Sequence, residues 1–98
     1  MADFDVLFCS LTNEDGTKES DNVFTSDYED TARFIYRAKL KHQSILITDV
    51  WSTPVIVATN PNTFIDEINS DYIDPVQFVD CASPYIGAFT KRKLLHLL

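Results

Sequence analysis

Two short segments of the chain are apolar on both of their faces, and they constrain the fold more than any other feature. The first is Val6 to Cys9, inside a predicted strand from Phe4 to Leu11, and the second is Val55 to Thr59. Successive side chains of a strand point to opposite faces of a sheet, so a strand that is apolar on both faces belongs in the middle of a sheet. The sequence therefore predicts a sheet built around these two strands.

A polar loop and an amphipathic helix follow the first strand. Residues 13–22, NEDGTKESDN, combine turn-forming residues with four acids and predict a long surface loop. The sequence SDYE then forms a capping box, with Ser26 as N-cap and Glu29 at the third helical position, which opens a helix that ends near His42. Glu29 lies one turn before Arg33, so we expect these two side chains to form an ion pair on the solvent face.

The second half of the chain predicts five further elements. Two β-branched segments, 44–50 and 55–59, form a hairpin around a turn that contains Trp51. Helix-start signals at Asn60–Pro61 and Ser83–Pro84 predict a second helix and a C-terminal helix. Between these helices, residues 76–80 alternate in polarity like a half-exposed edge strand.

The order of the predicted elements is β-α-β-β-α-β-α, which indicates an α+β protein. Its first six elements match the split βαβ, or ferredoxin-like, arrangement, in which the first and third strands are central. A chain of 98 residues is enough for one hydrophobic core, so we expect residues 1–98 to form a single compact domain with an added C-terminal helix.

The chain ends in KRKLLHLL, and the last residues are apolar on nearly every side of a helix. A helix of this kind is normally buried. The two helices of a split βαβ fold cover one face of the sheet, so we expect the C-terminal segment to cover the other face, or that of a second copy. The covering residues would be Phe89, Leu94, Leu95, Leu97 and Leu98. The last five residues also resemble the LxxLL motif with which coactivators dock on nuclear receptors, and the alternative is therefore a free docking tail.

The formal net charge of −7 bears on the class of partner. A strongly acidic surface disfavours direct binding to nucleic acid or anionic lipid, which requires clustered lysines and arginines. No apolar segment is long enough to span a membrane, and the acidic start of the chain is unlike a signal peptide. Two cysteines without CxxC spacing fit reduced thiols. We therefore expect a cytoplasmic protein.

Little in the sequence indicates catalysis. Cys9 lies inside an apolar strand, where burial raises a thiol pKa, while Cys81 precedes a predicted helix N-terminus that could lower its pKa. His42 and His96 have no ligand-like spacing to the cysteines. Both glycines are isolated, so there is no phosphate-binding loop. We expect no enzyme activity, no metal and no cofactor. If the protein is an enzyme, the candidate catalytic residues are Cys81 and His96.

The features that remain indicate binding to another protein. Acidic clusters could imitate the phosphates of a nucleic acid, and Trp51 at the hairpin turn could anchor an interface. The predicted function is a small acidic protein that inhibits or modulates a larger basic, nucleic-acid-handling protein, in a setting such as a virus or mobile element. The alternative is a dimeric ferredoxin-like module that binds a small ligand. The predicted contact residues are Glu14, Asp15, Glu19, Asp21, Trp51, Asp66, Glu67, Asp71 and Asp74.

Overall fold

The computed structural model describes residues 7–19, 22–24, 27–60 and 63–86, and it confirms an α+β fold. The strands are β1 (Leu7–Thr12), β2 (Asn22–Phe24), β3 (Ser44–Thr48), β4 (Pro54–Ala58) and β5 (Glu67–Ile68). They form an antiparallel sheet in the order β2-β1-β3-β4-β5. The helices α1 (Tyr28–Leu40) and α2 (Pro75–Ala82) and a short 3₁₀ helix, Ser83–Tyr85, complete the described elements.

The sheet does not show the ferredoxin-like order. In that arrangement the first two predicted strands would be parallel, with the third between them, whereas β1 pairs directly with β3 in antiparallel register. The reason is β2, a strand of three residues at the end of the predicted loop, which reverses the chain beside β1 before α1 begins. Because β2 and β3 are both antiparallel to β1, the unit β2-α1-β3 is a split βαβ unit around β1.

The second helix, predicted to start at Asn60–Pro61, was wrong for the part of the segment that the structure describes. Residues Glu67–Ile68 form β5, which pairs with β4. The carboxylate of Asp66 accepts hydrogen bonds from the amides of Thr59 (2.6 Å) and Asn60 (3.0 Å) and from the hydroxyl of Thr63 (2.6 Å). These bonds fold the chain into a tight loop and align it against the edge of β4, so tertiary pairing overrides the helix-start signal.

The predicted edge strand over 76–80 was also wrong, because these residues lie in α2. Asp74 is the N-cap, and its carboxylate accepts hydrogen bonds from the amides of Val76 (3.1 Å) and Gln77 (3.3 Å). Phe78, Val79 and Ala82 form the buried side of α2. The spacing of these three residues is helical, whereas the polarity alternation of 76–80 covers only five residues.

Only the start of the predicted C-terminal helix falls within the described residues. Ser83–Tyr85 is a 3₁₀ helix, and Ile86 has an extended backbone with φ −130° and ψ 147°. No α-helix therefore begins at Ser83–Pro84 in the described part of the chain. The residues predicted to cover the sheet lie outside the described residues; they are Phe89, Leu94, Leu95, Leu97 and Leu98.

The core lies between the sheet and the two helices. Ile35 of α1 and Phe78 of α2 are fully buried, and they belong to one apolar cluster with Ile47 and Ile56 of the central strands. Cys9 is fully buried in β1, as predicted. Phe8 of β1 and Leu46 of β3 point to the opposite face of the sheet, where their side chains are 36% and 37% exposed.

Helix α1 has a defined cap at each end. Asp27, and not the predicted Ser26, is the N-cap, since its carboxylate accepts a hydrogen bond from the amide of Asp30 at 2.7 Å. Ser26 lies outside the described residues. The C-terminal turn closes through His42, whose φ of 57° is left-handed. The predicted ion pair between Glu29 and Arg33 is confirmed at 3.4 Å.

Candidate partner-binding site

The turn between β3 and β4, residues 49–53, is organised by one carboxylate, and we call it the hairpin tip. Asp49 is 7% exposed. Its Oδ1 accepts hydrogen bonds from the amides of Trp51 (2.8 Å) and Thr53 (2.8 Å), and its Oδ2 accepts one from the hydroxyl of Tyr72. Charge-assisted bonds of this kind are stronger than neutral ones. Asp49 therefore fixes the backbone of the turn from inside.

Backbone bonds close the same turn. The amide of Asp49 donates to the carbonyl of Thr53 at 3.0 Å, and the amide of Ser52 donates to the carbonyl of Asp49 at 3.1 Å. Ser52 has a φ of 65°, a left-handed conformation that costs free energy for a residue other than glycine. The surrounding bonds hold it there, and the turn directs Val50 (55% exposed) and Trp51 (82% exposed) into solvent.

The hydrogen bond between Tyr72 and Asp49 shifts the pKa of both groups. Chiefly through the bond from the Tyr72 hydroxyl, and through the two backbone amides, the pKa of Asp49 lies below its usual range, although burial opposes the shift. The same bond raises the pKa of Tyr72. At neutral pH Asp49 is therefore a carboxylate and Tyr72 a neutral phenol, so the bond between them persists.

The segment 69–74 contacts both the hairpin and α1. Asn69 donates from its amide to the carbonyl of Val55 at 2.8 Å, close to the hairpin tip. At the other end of the segment, the amide of Asp74 donates to the hydroxyl of Tyr28, the first residue of α1, at 2.9 Å. Because Asp71 and Asp74 are exposed and flank Tyr72, they lie at the same end of the sheet as Trp51.

The predicted contact residues divide between the two ends of the sheet. In the β1–β3 register, Phe8 pairs with Thr48 and Thr12 pairs with Ser44, so the hairpin tip and the loop after Thr12 lie at opposite ends. Strands of five residues separate these ends by about 13 Å. The acids at the far end are Glu14, Asp15, Glu19 and Asp66, and Asp21 lies outside the described residues.

Two acids at the far end have structural contacts. Burial alone would raise the pKa of Asp66, but hydrogen bonds from Thr63, Asn60 and Thr59 outweigh it and hold that pKa below the usual range. Asp15 accepts bonds from the hydroxyl (2.6 Å) and amide (2.9 Å) of Thr17, which lower its pKa. Glu67 is exposed on β5. Of the predicted contact residues, the structure thus places Trp51, Asp71 and Asp74 at the same end of the sheet.

Sequence reasoning missed the residues that support the tip. Asp49 at the end of an apolar strand carried a usable signal, since aspartate often accepts bonds from the amides two and more residues further on. Asp27 is acidic and contributes to the predicted acidic surface, but its role as the N-cap of α1 was missed because Ser26 is the predicted N-cap. Nothing in the local sequence indicates that Tyr72 reaches Asp49, because the two are 23 residues apart.

The remaining reactive groups do not form a site in the described residues. Cys81 lies near the end of α2, not before a helix N-terminus, and burial raises the pKa of its thiol, with the charges of Glu29 and Asp27 adding to the shift. The expectation of a lowered pKa was therefore wrong. His42 is exposed and His96 lies outside the described ranges. Across the described residues, no group of three His, Cys, Asp or Glu side chains could hold a metal ion.

Comparison with models of protein families, with curated protein sequences and with solved structures finds no match for this chain. None of the helices in the described part of the chain has the length and apolar character needed to cross a membrane.

Proposed function

We propose that the protein is a small, non-enzymatic interaction protein that binds a larger basic protein through the hairpin tip. The observation that carries this proposal is the exposure of Trp51, 82%, on a turn whose backbone is fixed by the carboxylate of Asp49. Tryptophan is the residue type most enriched among interface hot spots. An exposed tryptophan contributes no burial free energy to the fold of the free protein, so its position on this turn is better explained by binding.

The rigidity of the tip supports binding energetically. Association costs free energy for every flexible side chain and loop that becomes ordered. The bonds of Asp49 to the amides of Trp51 and Thr53 have already ordered this turn. Burial of an exposed tryptophan at the centre of an interface contributes about 2 kcal/mol or more, judged by its truncation to alanine. Adjacent Val50 adds further apolar area.

The charges around the tip favour a basic partner. Asp27, Asp71 and Asp74 are exposed at this end of the sheet. Arg33, the first basic residue of α1, is paired with Glu29 and Asp30 at 3.4 and 3.0 Å. An acidic rim around an apolar centre attracts a positively charged surface and raises the rate of association. We favour a nucleic-acid-handling protein as the partner, with this protein as its inhibitor or modulator in the cytoplasm, as a virus or mobile element would use it.

Affinity capture from extract of the source cell tests the proposal. We immobilise three proteins: wild type, Trp51→Ala and Leu40→Ala. Each is incubated with the extract at low and at high salt. Leu40 is 63% exposed at the other end of α1, so its truncation is a matched control. We expect wild type and Leu40→Ala to retain the same basic protein at low salt, and Trp51→Ala to lose it. Equal capture by all three would contradict the proposal. A protein that captures nothing and sediments as a dimer would instead support the ligand-binding alternative.

A further inference from the structure

The hairpin tip combines a flat aromatic ring with nearby carboxylates, as an unstacked nucleotide combines a base with phosphates. On the basis of the proposed function, we propose that Trp51 occupies the position of one nucleobase in the single-strand groove of a nucleic-acid-binding protein. The carboxylates of Asp71, Asp74 and Asp27 then contact the lysine and arginine side chains with which the groove binds the flanking phosphates. The partner is thereby narrowed to proteins that bind single-stranded nucleic acid.

The ring is presented as such a groove requires. Proteins that bind single strands stack successive bases on aromatic side chains, and each stacked base contributes about 1–3 kcal/mol by alanine substitution. An indole has the flat π-face that this stacking uses. The backbone amide of Trp51 is held by Asp49 at 2.8 Å, and its side chain is 82% exposed, so the ring can enter a slot without unfolding the turn.

The residues around Tyr72 and Tyr28 carry the carboxylates at this end of the sheet. Asp71 precedes Tyr72 and is close enough for its charge to contribute to the raised pKa of the Tyr72 hydroxyl, which itself contacts Asp49. Asp74 is bonded through its amide to Tyr28, which follows Asp27. Exposed Asp27, Asp71 and Asp74 therefore lie at the same end of the sheet as Trp51.

A duplex-binding partner fits the tip less well. Proteins that read B-DNA insert a helix or strands into a groove, where they contact base edges and phosphates. Proteins that bind single strands instead stack the faces of the bases on aromatic side chains. The exposed ring of Trp51 is the feature that selects a single-strand groove.

Displacement of labelled nucleic acid tests this inference directly. The probes are fluorescein-labelled oligothymidylate bound to an OB-fold protein, to a cold-shock domain and to an RNA-recognition-motif protein, with a labelled duplex on a helix-turn-helix domain as the control. We expect wild-type protein to displace oligothymidylate from at least one of the three and to leave the duplex bound. Trp51→Ala should weaken displacement by about 5- to 150-fold, the equivalent of one stacked base, and Trp51→Phe should retain most of it. Asp71→Asn should weaken displacement and reduce its salt dependence.

The outcomes separate this inference from the proposed function. Displacement from none of the three single-strand binders, or equal displacement of the duplex, overturns the nucleotide mimicry. If capture from extract still depends on Trp51 but excess oligothymidylate does not compete with it, the tip is an interface for another basic protein, and the inference fails while the proposed function stands. If Trp51→Ala alters neither capture nor displacement, both fail.

Discussion

The hydroxyl of Tyr72 donates a hydrogen bond to the carboxylate of Asp49 across 23 residues of sequence. The same carboxylate holds the amides of Trp51 and Thr53. One bond thus links the 69–74 segment, with its exposed acids, to the turn that presents Trp51. The apolar and the charged parts of the candidate site depend on each other through it.

Removal of that hydroxyl should loosen the hairpin tip. In Tyr72→Phe the carboxylate of Asp49 loses one of its three partners, and we expect amide hydrogen exchange at Trp51 and Thr53 to accelerate by about tenfold, with little change in the sheet. Tyr36→Phe, which removes a hydroxyl from α1, is the control and should leave these amides unchanged. If both amides exchange at the wild-type rate in Tyr72→Phe, the order of the turn does not depend on Tyr72.

Acid should destabilise the protein through three carboxylates. The pKa values of Asp49, Asp66 and Asp15 are lowered in the folded state. Their contribution to the free energy of unfolding is therefore complete above the unfolded pKa, about 3.9, and is lost as pH falls through the lower folded values. Urea titrations should give similar stability at pH 7 and pH 5 and a clear loss at pH 3. Asp66→Asn should be less stable than wild type at pH 7 and should lose less between pH 5 and pH 3. If the stability of this variant depends on pH as that of wild type does, Asp66 does not contribute to the loss of stability in acid.

His42 closes α1 in a left-handed conformation that glycine adopts without strain. Its amide donates to the carbonyl of Lys39, and the next amide donates to Ala38, as in a Schellman motif. With a φ of 57° at this position, we expect His42→Gly to raise the free energy of unfolding by about 0.5–1 kcal/mol. Lys41→Gly is the matched control, since Lys41 has a φ of −94° and should lose stability. Equal effects of the two glycines in thermal unfolding would argue against this cap.

Truncations in α2 distinguish the helix from the strand predicted over 76–80. In a strand Val76 and Phe78 would share one face, whereas in α2 Phe78 is fully buried and Val76 is 58% exposed. Phe78→Ala should cost about 3–5 kcal/mol, and Val76→Ala should change stability by less than about 0.5 kcal/mol. Urea denaturation measures both. Similar losses in the two variants would contradict the helix.

The strands with strong apolar patterns and the long helix were predictable from sequence. The segments of β1 and β4 are apolar on both faces, β3 is rich in β-branched residues, and α1 has an amphipathic helical pattern. Each of these elements lies close to its predicted position. The errors concern segments whose structure depends on distant partners. β2 and β5 have three and two residues and are defined by pairing, and Asp66 converts a helix-start sequence into a loop. Because β2 was not predicted, the strand order of the sheet was also predicted incorrectly.

The candidate site was predictable only in its exposed residues. Trp51 stood out because a lone tryptophan beside a turn suggests an anchor, and Asp71 and Asp74 because they are acidic. Asp49 and Tyr72 support the site from inside, and their contact is set by how the 69–74 segment packs on the hairpin. The acids at the far end were grouped with the site because sequence does not show which end of a sheet a loop occupies.

The most direct measurement of the proposed contact is fluorine NMR of Trp51. Trp51 is the one tryptophan of the chain, so incorporation of 5-fluorotryptophan gives a single resonance. In the free protein its chemical shift should change between H₂O and D₂O, as expected for an exposed indole. On formation of the complex captured from extract, the resonance should shift and lose that solvent dependence. A resonance that keeps the same shift and the same solvent dependence in the complex would contradict binding through the hairpin tip.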